Sequence, residues 1–226
     1  MNIAVILSAG VGSRMKNVLP KQFIEVDNKP VFLYTLEKFL LNKNIDKIIL
    51  VINKDFADLY KYYLNKYSIN NVELVNGGNT RQLSTFNALS YLKDKCASDD
   101  IILIHDGARP LITQQIIDEN ISLCQKNKNP VVTVINIVDT IVDKEYNLLD
   151  RNNLLSVQTP QTFIFDQIYS IHQKCLDDGI INPSDDAQLA KNYGHKITYA
   201  NGSRLNIKIT EPEDLKLFQY LQKEGD

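Results

Sequence analysis

Short apolar runs alternate along this chain with stretches in which apolar residues recur at helical spacing. The runs near Ile3–Leu7, Lys47–Ile52, Val72–Val75, Ile101–His105 and Val131–Ile137 predict strands. Helical spacing predicts helices near Val31–Leu41, Phe56–Tyr67, Arg81–Lys93 and Thr113–Lys126, with Leu83, Phe86, Leu89 and Leu92 marking the buried side of the third. This β-α-β-α order predicts an α/β fold, a mostly parallel sheet with helices on both faces. In such a sheet ligands bind outside the C-terminal ends of the strands.

From Asp139 the pattern changes. Short strand-like pieces flank the polar turn Asp143–Glu145, which predicts a β-hairpin arm projecting from the sheet over about 138–160. Such an arm cannot bury both of its faces alone, so a partner subunit is expected. After Asp166, the residues Ile168, Ile171, His172, Cys175 and Leu176 fall on one helical face, which makes His172 and Cys175 core residues before ligands. Asn182-Pro183-Ser184-Asp185-Asp186 opens a short helix with Ser184 as its N-cap. Tyr193-Gly194 marks a helix end, with His195 as a cap or turn residue. Asn206–Thr210 reads as a strand with a lysine between isoleucines, and Thr210 and Glu213 as a capping box for a last helix with Pro212 in its first turn and Leu215, Phe218 and Leu221 packing inward.

Composition narrows the class. At 226 residues, with 44% apolar and 23% charged residues, the chain suits one α/β domain with an extension. A net charge of −2 disfavours general nucleic-acid binding. Cys96, Cys124 and Cys175 lack metal-site spacing and read as reduced, mostly buried thiols. Met1 leads directly into the first strand and no apolar run reaches the ~18 residues of a membrane span, so a cytoplasmic protein is expected.

The chemistry gathers at strand ends. After Leu7 comes Ser8-Ala9-Gly10-Val11-Gly12-Ser13-Arg14-Met15, then Pro20-Lys21-Gln22. Arg14, Lys16 and Lys21 bring positive charge and no negative charge to a glycine-rich turn, as a triphosphate clamp requires. The strand at Ile101–Ile104 delivers His105-Asp106-Gly107-Ala108-Arg109-Pro110; Asp106 could hold Mg²⁺ against phosphate oxygens or could merely pair with Arg109. Asn76-Gly77-Gly78-Asn79-Thr80-Arg81, with Ser84 one turn on, could read a base edge or be an ordinary strand-to-helix connection. Lys208 must send its head to water or to an anion. Thr140 and Arg151 on the arm are candidates for gripping a second phosphate. Ser184, at a helix start, is another.

Six motifs in order, the first turn with Pro20-Lys21-Gln22, Gly77-Gly78 with Arg81 and Ser84, His105-Asp106-Gly107-Ala108-Arg109-Pro110, Asp139-Thr140, Gln158-Thr159-Pro160-Gln161 and Asn206-Ile207-Lys208, closely resemble the 2-C-methyl-D-erythritol 4-phosphate cytidylyltransferase family and the related ribitol-5-phosphate cytidylyltransferases. The resemblance runs over essentially the whole chain. It implies a Rossmann-like nucleotidyltransferase fold, CTP as co-substrate, Mg²⁺ as cofactor, and a homodimer joined through the arm. By resemblance Arg14, Lys21 and Lys208 are the catalytic cations. Ala9, Gly10 and Gly12 line the phosphate turn, Gly78, Asn79 and Ser84 face cytosine, and Ala108 lies near the ribose. Asp106 ligands the metal. Thr140, Arg151 and Ser184 grip the acceptor, Thr140 and Arg151 across the dimer. Ser184, Val142 and Asn79 depart from the methylerythritol pattern, and valine at 142 is common in the ribitol branch. Gly107-Ala108 and Asp150-Arg151-Asn152 look more like the methylerythritol branch. The implied acceptor is methylerythritol phosphate, with ribitol 5-phosphate as the alternative.

Two other classes fit less well. A dinucleotide-dependent oxidoreductase needs a third glycine where Met15 stands. A non-catalytic nucleotide-binding regulator need not keep Arg14, Lys21, Asp106 and Lys208 together.

Overall fold

The computed structural model describes residues 1–10, 19–179 and 185–224. The elements in chain order are β1 (Asn2–Leu7), a small hairpin of β2 (Glu25–Val26) and β3 (Lys29–Pro30), α1 (Val31–Leu40), β4 (Lys47–Ile52), α2 (Ala57–Lys66), β5 (Glu73–Asn76), α3 (Arg81–Leu92), β6 (Ile101–Asp106), α4 (Gln114–Asn127) and β7 (Val131–Asn136). There follow the hairpin β8 (Ile141–Val142) and β9 (Leu148–Leu149), then β10 (Leu155–Ile164), α5 (Phe165–Asp177), α6 (Asp186–Asn192), β11 (Thr198–Asn201) and α7 (Pro212–Glu224).

Local chemistry sets the helix ends. The Thr80 and Thr113 hydroxyls accept from Leu83 N and Ile116 N, capping α3 and α4. At the end of α6, Gly194 adopts a φ of +87°, His195 N–H donates to the Ala190 carbonyl and Gly194 N–H to that of Lys191. This is the paired bonding that a left-handed residue after a helix allows, and His195 serves it through its backbone.

Seven strands form one sheet in the order β11-β7-β10-β6-β1-β4-β5. β10 runs antiparallel to both its neighbours, β6 and β7; the other pairings are parallel. Alternate residues of β1 face opposite ways. Ala4 and Ile6 join a core with α1, α2 and α4, whereas Ile3 and Val5 join one with α3, α5 and α6. Helices thus cover both faces, which is why the parallel strands read as unbroken apolar runs. His172 and Cys175 are buried in α5, Cys124 is buried in α4, and all three cysteines are free. Among the described residues no helix is long and apolar enough to cross a membrane.

Several expectations are corrected. Asn206–Thr210 is not a strand: the N–H groups of Asn206 and Ile207 donate to the nearby Ser203 and Leu205 carbonyls and that of Ile209 to the Ala108 carbonyl, so a five-residue alternation mimics a ladder that does not form. The carboxylate that caps α7 is Asp214, not Glu213; it accepts from the Thr210 hydroxyl and from the amides of Thr210 and Glu211. The N-cap of α6 is Asp185, whose carboxylate accepts from Gln188 N at 2.6 Å, and not Ser184, which itself lies outside the described residues. On α3, Leu83 and Phe86 are only partly covered, and the buried side carries Gln82, Ser84, Thr85, Ala88, Leu89 and Leu92. Of the polar residues on that face, Ser84 bonds Gly78 and Thr80 beside a cleft and Gln82 donates to Cys175 Sγ of α5, whereas Thr85 Oγ1 has no hydrogen-bond partner among the described residues. The stretch 138–160 also divides. β8 and β9 pair as a hairpin, but β10 enters the main sheet and is buried from Gln158 onward. β10, β11 and the β2–β3 hairpin were not anticipated.

Phe163 of β10 is fully buried opposite Ile102 and packs into the core beneath α5. Phe163→Ala is expected to cost roughly 3–5 kcal/mol in denaturant unfolding, through lost burial plus a cavity. A loss below about 1 kcal/mol would contradict the placement of β10 inside the sheet between β7 and β6.

Candidate functional site

A cleft of about 630 Å³ opens at the C-terminal ends of β1, β4, β5 and β6. Ser8–Gly10, Asn53–Asp55, Gly77–Thr80 and Asp106–Ala108 line it, with Lys21, Gln22, Arg81, Ser84 and Lys208. Its floor depends on close backbone approach. A Cβ on Gly77 would lie 2.5 Å from the Ala9 Cβ and 2.9 Å from the Ser84 Oγ, so a side chain there would close the space between the first turn and α3. Gly78 N–H donates to Ser84 Oγ at 3.1 Å, and that hydroxyl lies 2.9 Å from the Thr80 carbonyl oxygen.

The first turn is held from below. Gln22 Nε2 donates to the carbonyls of Ser8 (2.8 Å) and Gly10 (2.9 Å), and Tyr60 Oη donates to the Ser8 carbonyl at 2.6 Å. Gln22 and Tyr60 are buried, and burial pushes the Tyr60 phenol up to about 12, so it remains a donor at any physiological pH. The carbonyls of the turn are thus drawn into the protein and away from any anion in the cleft. Neighbouring Lys21 directs its Nζ to the Ile209 carbonyl at 2.7 Å, tying the start of the site to the segment that carries Lys208.

Asp106 ends β6 as the principal anion of the cleft. Its Oδ2 lies 2.9 Å from Lys208 Nζ and 3.4 Å from Arg109 Nε, while Oδ1 lies 3.9 Å from Arg81 Nε. Burial alone would raise its pKa, but Lys208, Arg81 and Arg109 outweigh it and hold the carboxyl well below the usual range. The backbone beneath is fixed as well. Asp106 N–H donates to Thr159 Oγ1, whose proton goes to His105 Nδ1, leaving His105 Nε2–H for the Arg109 carbonyl. Burial depresses the His105 pKa to about 4, so the ring is neutral and serves as a spacer. Arg109 also donates to the Asn206 carbonyl at 2.7 Å, and Asn206 donates to the Thr159 carbonyl at 2.9 Å.

The structure brings Ala9, Gly10, Lys21, Gly78, Asn79, Ser84, Asp106, Ala108 and Lys208 together around this cleft. Gly12, Arg14 and Ser184 lie outside the described residues. Thr140 and Arg151 do not line the cleft; both are exposed on the arm, where Arg151 donates to the Val138 carbonyl. Sequence reasoning gave no role to Gln22, Tyr60, Thr159, Gln161 or Asp186. Gln22 and Gln161 stand inside quoted motifs, so their position was visible though their function was not. Asp186 pairs with a residue 105 positions away, and nothing local signals that. Asn53–Asp55 follow β4, and the rule that ligands gather at strand ends could have found them.

Among the described residues no group of three or more His, Cys, Asp or Glu could cage a metal ion. Asp106 alone fits a cation that takes one carboxylate and draws its other ligands from a substrate's phosphates and water, as Mg²⁺ does.

A second network stands behind Arg81. Its Nη1 lies 2.6 Å from Asp186 Oδ2, and the other oxygen of Asp186 lies 3.0 Å from His172 Nε2. Burial would raise the Asp186 pKa, but Arg81 and His172 outweigh it and bring it to about 2, against an ordinary 3.8. A carboxyl with a depressed folded pKa contributes stability above its unfolded pKa and loses it as pH falls through the folded one. The stability from this pair, about 2 kcal/mol, is therefore complete above about pH 4 and lost on the way to pH 2. Arg81→Ala is expected to cost roughly 3 kcal/mol at neutral pH, because Asp186 remains buried without its cation, and to flatten the acid limb of the stability profile. Thermal melts from pH 2 to 7 check both; an unchanged acid limb would contradict the pairing.

The family model of 2-C-methyl-D-erythritol 4-phosphate cytidylyltransferases matches residues 2–224. A Clostridium beijerinckii protein of that name is 41% identical, covering 97% of each chain. Ribitol-5-phosphate cytidylyltransferase of Vibrio parahaemolyticus is 38% identical over 98% of this chain and 95% of its own. The crystal structure of 4-diphosphocytidyl-2C-methyl-D-erythritol synthase from Anaerococcus prevotii superposes with a TM-score of 0.82 at 33% identity, covering 98% of each chain. The sheet order, the strand-end cleft and these matches agree on a nucleotidyltransferase fold, and the chain belongs to the 2-C-methyl-D-erythritol 4-phosphate cytidylyltransferase family of CTP-dependent nucleotidyltransferases.

Proposed function

We propose that this chain joins CTP to 2-C-methyl-D-erythritol 4-phosphate, giving 4-diphosphocytidyl-2-C-methyl-D-erythritol and pyrophosphate. The observation that carries this reading is the meeting of Lys21, Lys208 and Asp106 at the strand ends, in a cleft whose volume suits a small-molecule ligand. Cytosine lies against Gly78, Asn79 and Ser84, the ribose near Ala108, and the triphosphate over Ala9, Gly10 and Gly12 beside Arg14 and Lys21. Asp106 holds Mg²⁺, which when bound neutralises part of the triphosphate's charge. An oxygen of the acceptor phosphate, already ionised at neutral pH, bonds to the α-phosphorus, and the bond from the α-phosphorus to the bridging oxygen breaks. No general base is needed. Arg14, Lys21 and Lys208 stabilise the charge on the α-phosphoryl oxygens and on departing pyrophosphate. Lys208, 2.9 Å from Asp106 with its side chain 38% exposed, presents its ammonium to the cleft from that contact.

Thr140, Arg151 and Ser184 hold the acceptor. Thr140 and Arg151 lie on the arm, whose Tyr146 and Leu148 are 84% and 73% exposed, and this supports a homodimer in which each arm serves its partner's cleft. The chain is read as one cytidylyltransferase domain over 1–226 with its arm from about 138, working in the cytoplasm without nucleic-acid or membrane partners. A second reading, transfer to ribitol 5-phosphate, is favoured by relatives of that name at 35% and 38% identity and by Val142 on the arm.

Pyrophosphate release from Mg²⁺-CTP with each acceptor in turn separates the two. We expect kcat/KM at least tenfold higher with methylerythritol phosphate; the reverse order assigns the ribitol reading, and no release with either removes both. Lys21→Ala is expected to lower kcat about 100-fold while the Kd for CTP changes less than about tenfold, since its charge acts mainly on the transition state. Undiminished turnover would remove Lys21 from the mechanism.

A further inference from the structure

The two oxygens of Asp106 are used unequally. Oδ2 takes both Lys208 and Arg109. Among the described residues Oδ1 receives no hydrogen bond, and Arg81 Nε stands 3.9 Å from it. Left to itself, a guanidinium beside an ionised carboxylate closes to the 2.7–2.9 Å typical of a charge-assisted bond. Arg81 does not close, because its Nη1 is already held at 2.6 Å by Asp186.

Asp186 is a fixed post. It is 1% exposed and bonded to His172, and the next residue, Ala187, donates its N–H to Gln161 Oε1 of β10 at 3.1 Å. α6 and the central sheet therefore define where the Arg81 guanidinium stands. We propose that Asp186 is a positioning residue that restrains Arg81 and so keeps Oδ1 of Asp106 open to a divalent cation. The inference rests on the reading of Asp106 as the metal-holding carboxylate. Without the Asp186 charge, Arg81 moves about 1 Å onto Oδ1 and competes with the cation for the same lone pairs. Without Arg81, the competitor is gone.

The two single substitutions should therefore act in opposite directions, which a merely structural role for the pair would not produce. Mn²⁺ binding to the protein with CTP bound, followed by electron paramagnetic resonance with protein in excess and no acceptor present, reads this without turnover. Asp186→Asn, which keeps the shape and a hydrogen bond to His172, is expected to weaken Mn²⁺ binding about tenfold. Arg81→Gln should bind Mn²⁺ as tightly as the unmodified protein or more so, and the double variant should match Arg81→Gln within threefold. The proposal is overturned if Asp186→Asn, folded by near-ultraviolet circular dichroism, stays within twofold of the unmodified protein. It is equally overturned if Arg81→Gln also weakens binding about tenfold, and this arm decides alone should Asp186→Asn not fold. Failure of the unmodified protein to bind Mn²⁺ in the CTP complex would remove the metal-holding reading of Asp106 and this inference together. Binding that is normal there and unchanged in Asp186→Asn removes the inference alone.

Discussion

The site depends on one buried anion and the cations required to keep it charged. Asp106 is 8% exposed, and a carboxylate so far out of water is ionised only if positive charge replaces the solvent. Arg81, Arg109 and Lys208 supply that charge from the start of α3, the turn after β6 and the segment before α7. Each cation sits where it does because of another bond: Arg81 to Asp186, Arg109 to the Asn206 carbonyl, and the Lys208 segment to Lys21 and Ala108. The requirement to neutralise one carboxylate thus fixes how three distant stretches of chain meet.

β10 gives that meeting its rigidity. Inserted antiparallel between β6 and β7, it places four polar residues where a parallel strand of this sheet would carry aliphatics. Thr159 fixes the Asp106 backbone, and Gln158 and Asn206 bond to one another beneath the loop after β11. Gln161 holds the first turn of α6, and Thr162 reaches Asn120 of α4. Buried polar groups are costly unless satisfied, and these are satisfied only in one arrangement of strand, helix and loop. A change in β10 would be felt at Asp106, at Asp186 and at Lys208 together.

What could be read from the sequence follows the range of the interactions involved. Parallel strands buried on both faces give unbroken apolar runs, and helices packed on one side give a 3.6-residue period, so β1, β4, β6 and β7 and the helices between them were visible. The glycine turns and Asp106 were visible because close approach and charge at a strand end have local signatures. β10 was not, since four of its seven buried residues are polar and their partners lie on other elements. The stretch Asn206–Thr210 misled in the opposite way. Its alternation is real, but Ile207 N–H turns back to the Leu205 carbonyl while Ile209 packs with Val26, Val31 and Phe218 and makes one bond to Ala108, so no ladder forms. The cap of α6 went to Asp185 instead of Ser184 because two adjacent residues both had capping side chains, and only tertiary packing chooses between them. The Arg81–Asp186–His172 network joins α3, α6 and α5, so no window of sequence contains it.

The nucleotide side and the acceptor side of the proposed site rest on different physics. The nucleotide side is built on strand ends inside a doubly covered sheet, where Gln22, Tyr60, Thr159 and Asp186 leave each group little freedom. A change there disturbs several buried bonds at once. The arm carries Thr140 and Arg151 on a two-stranded hairpin whose side chains are largely exposed, and such a hairpin is marginal alone. Substitutions on it cost the fold little. A chain of this construction can therefore keep its CTP chemistry while its acceptor preference shifts through residues such as Val142. Full-length similarity to both methylerythritol- and ribitol-phosphate cytidylyltransferases is compatible with one cleft on these terms, and under the proposed function the choice of acceptor falls to the contacts of the arm.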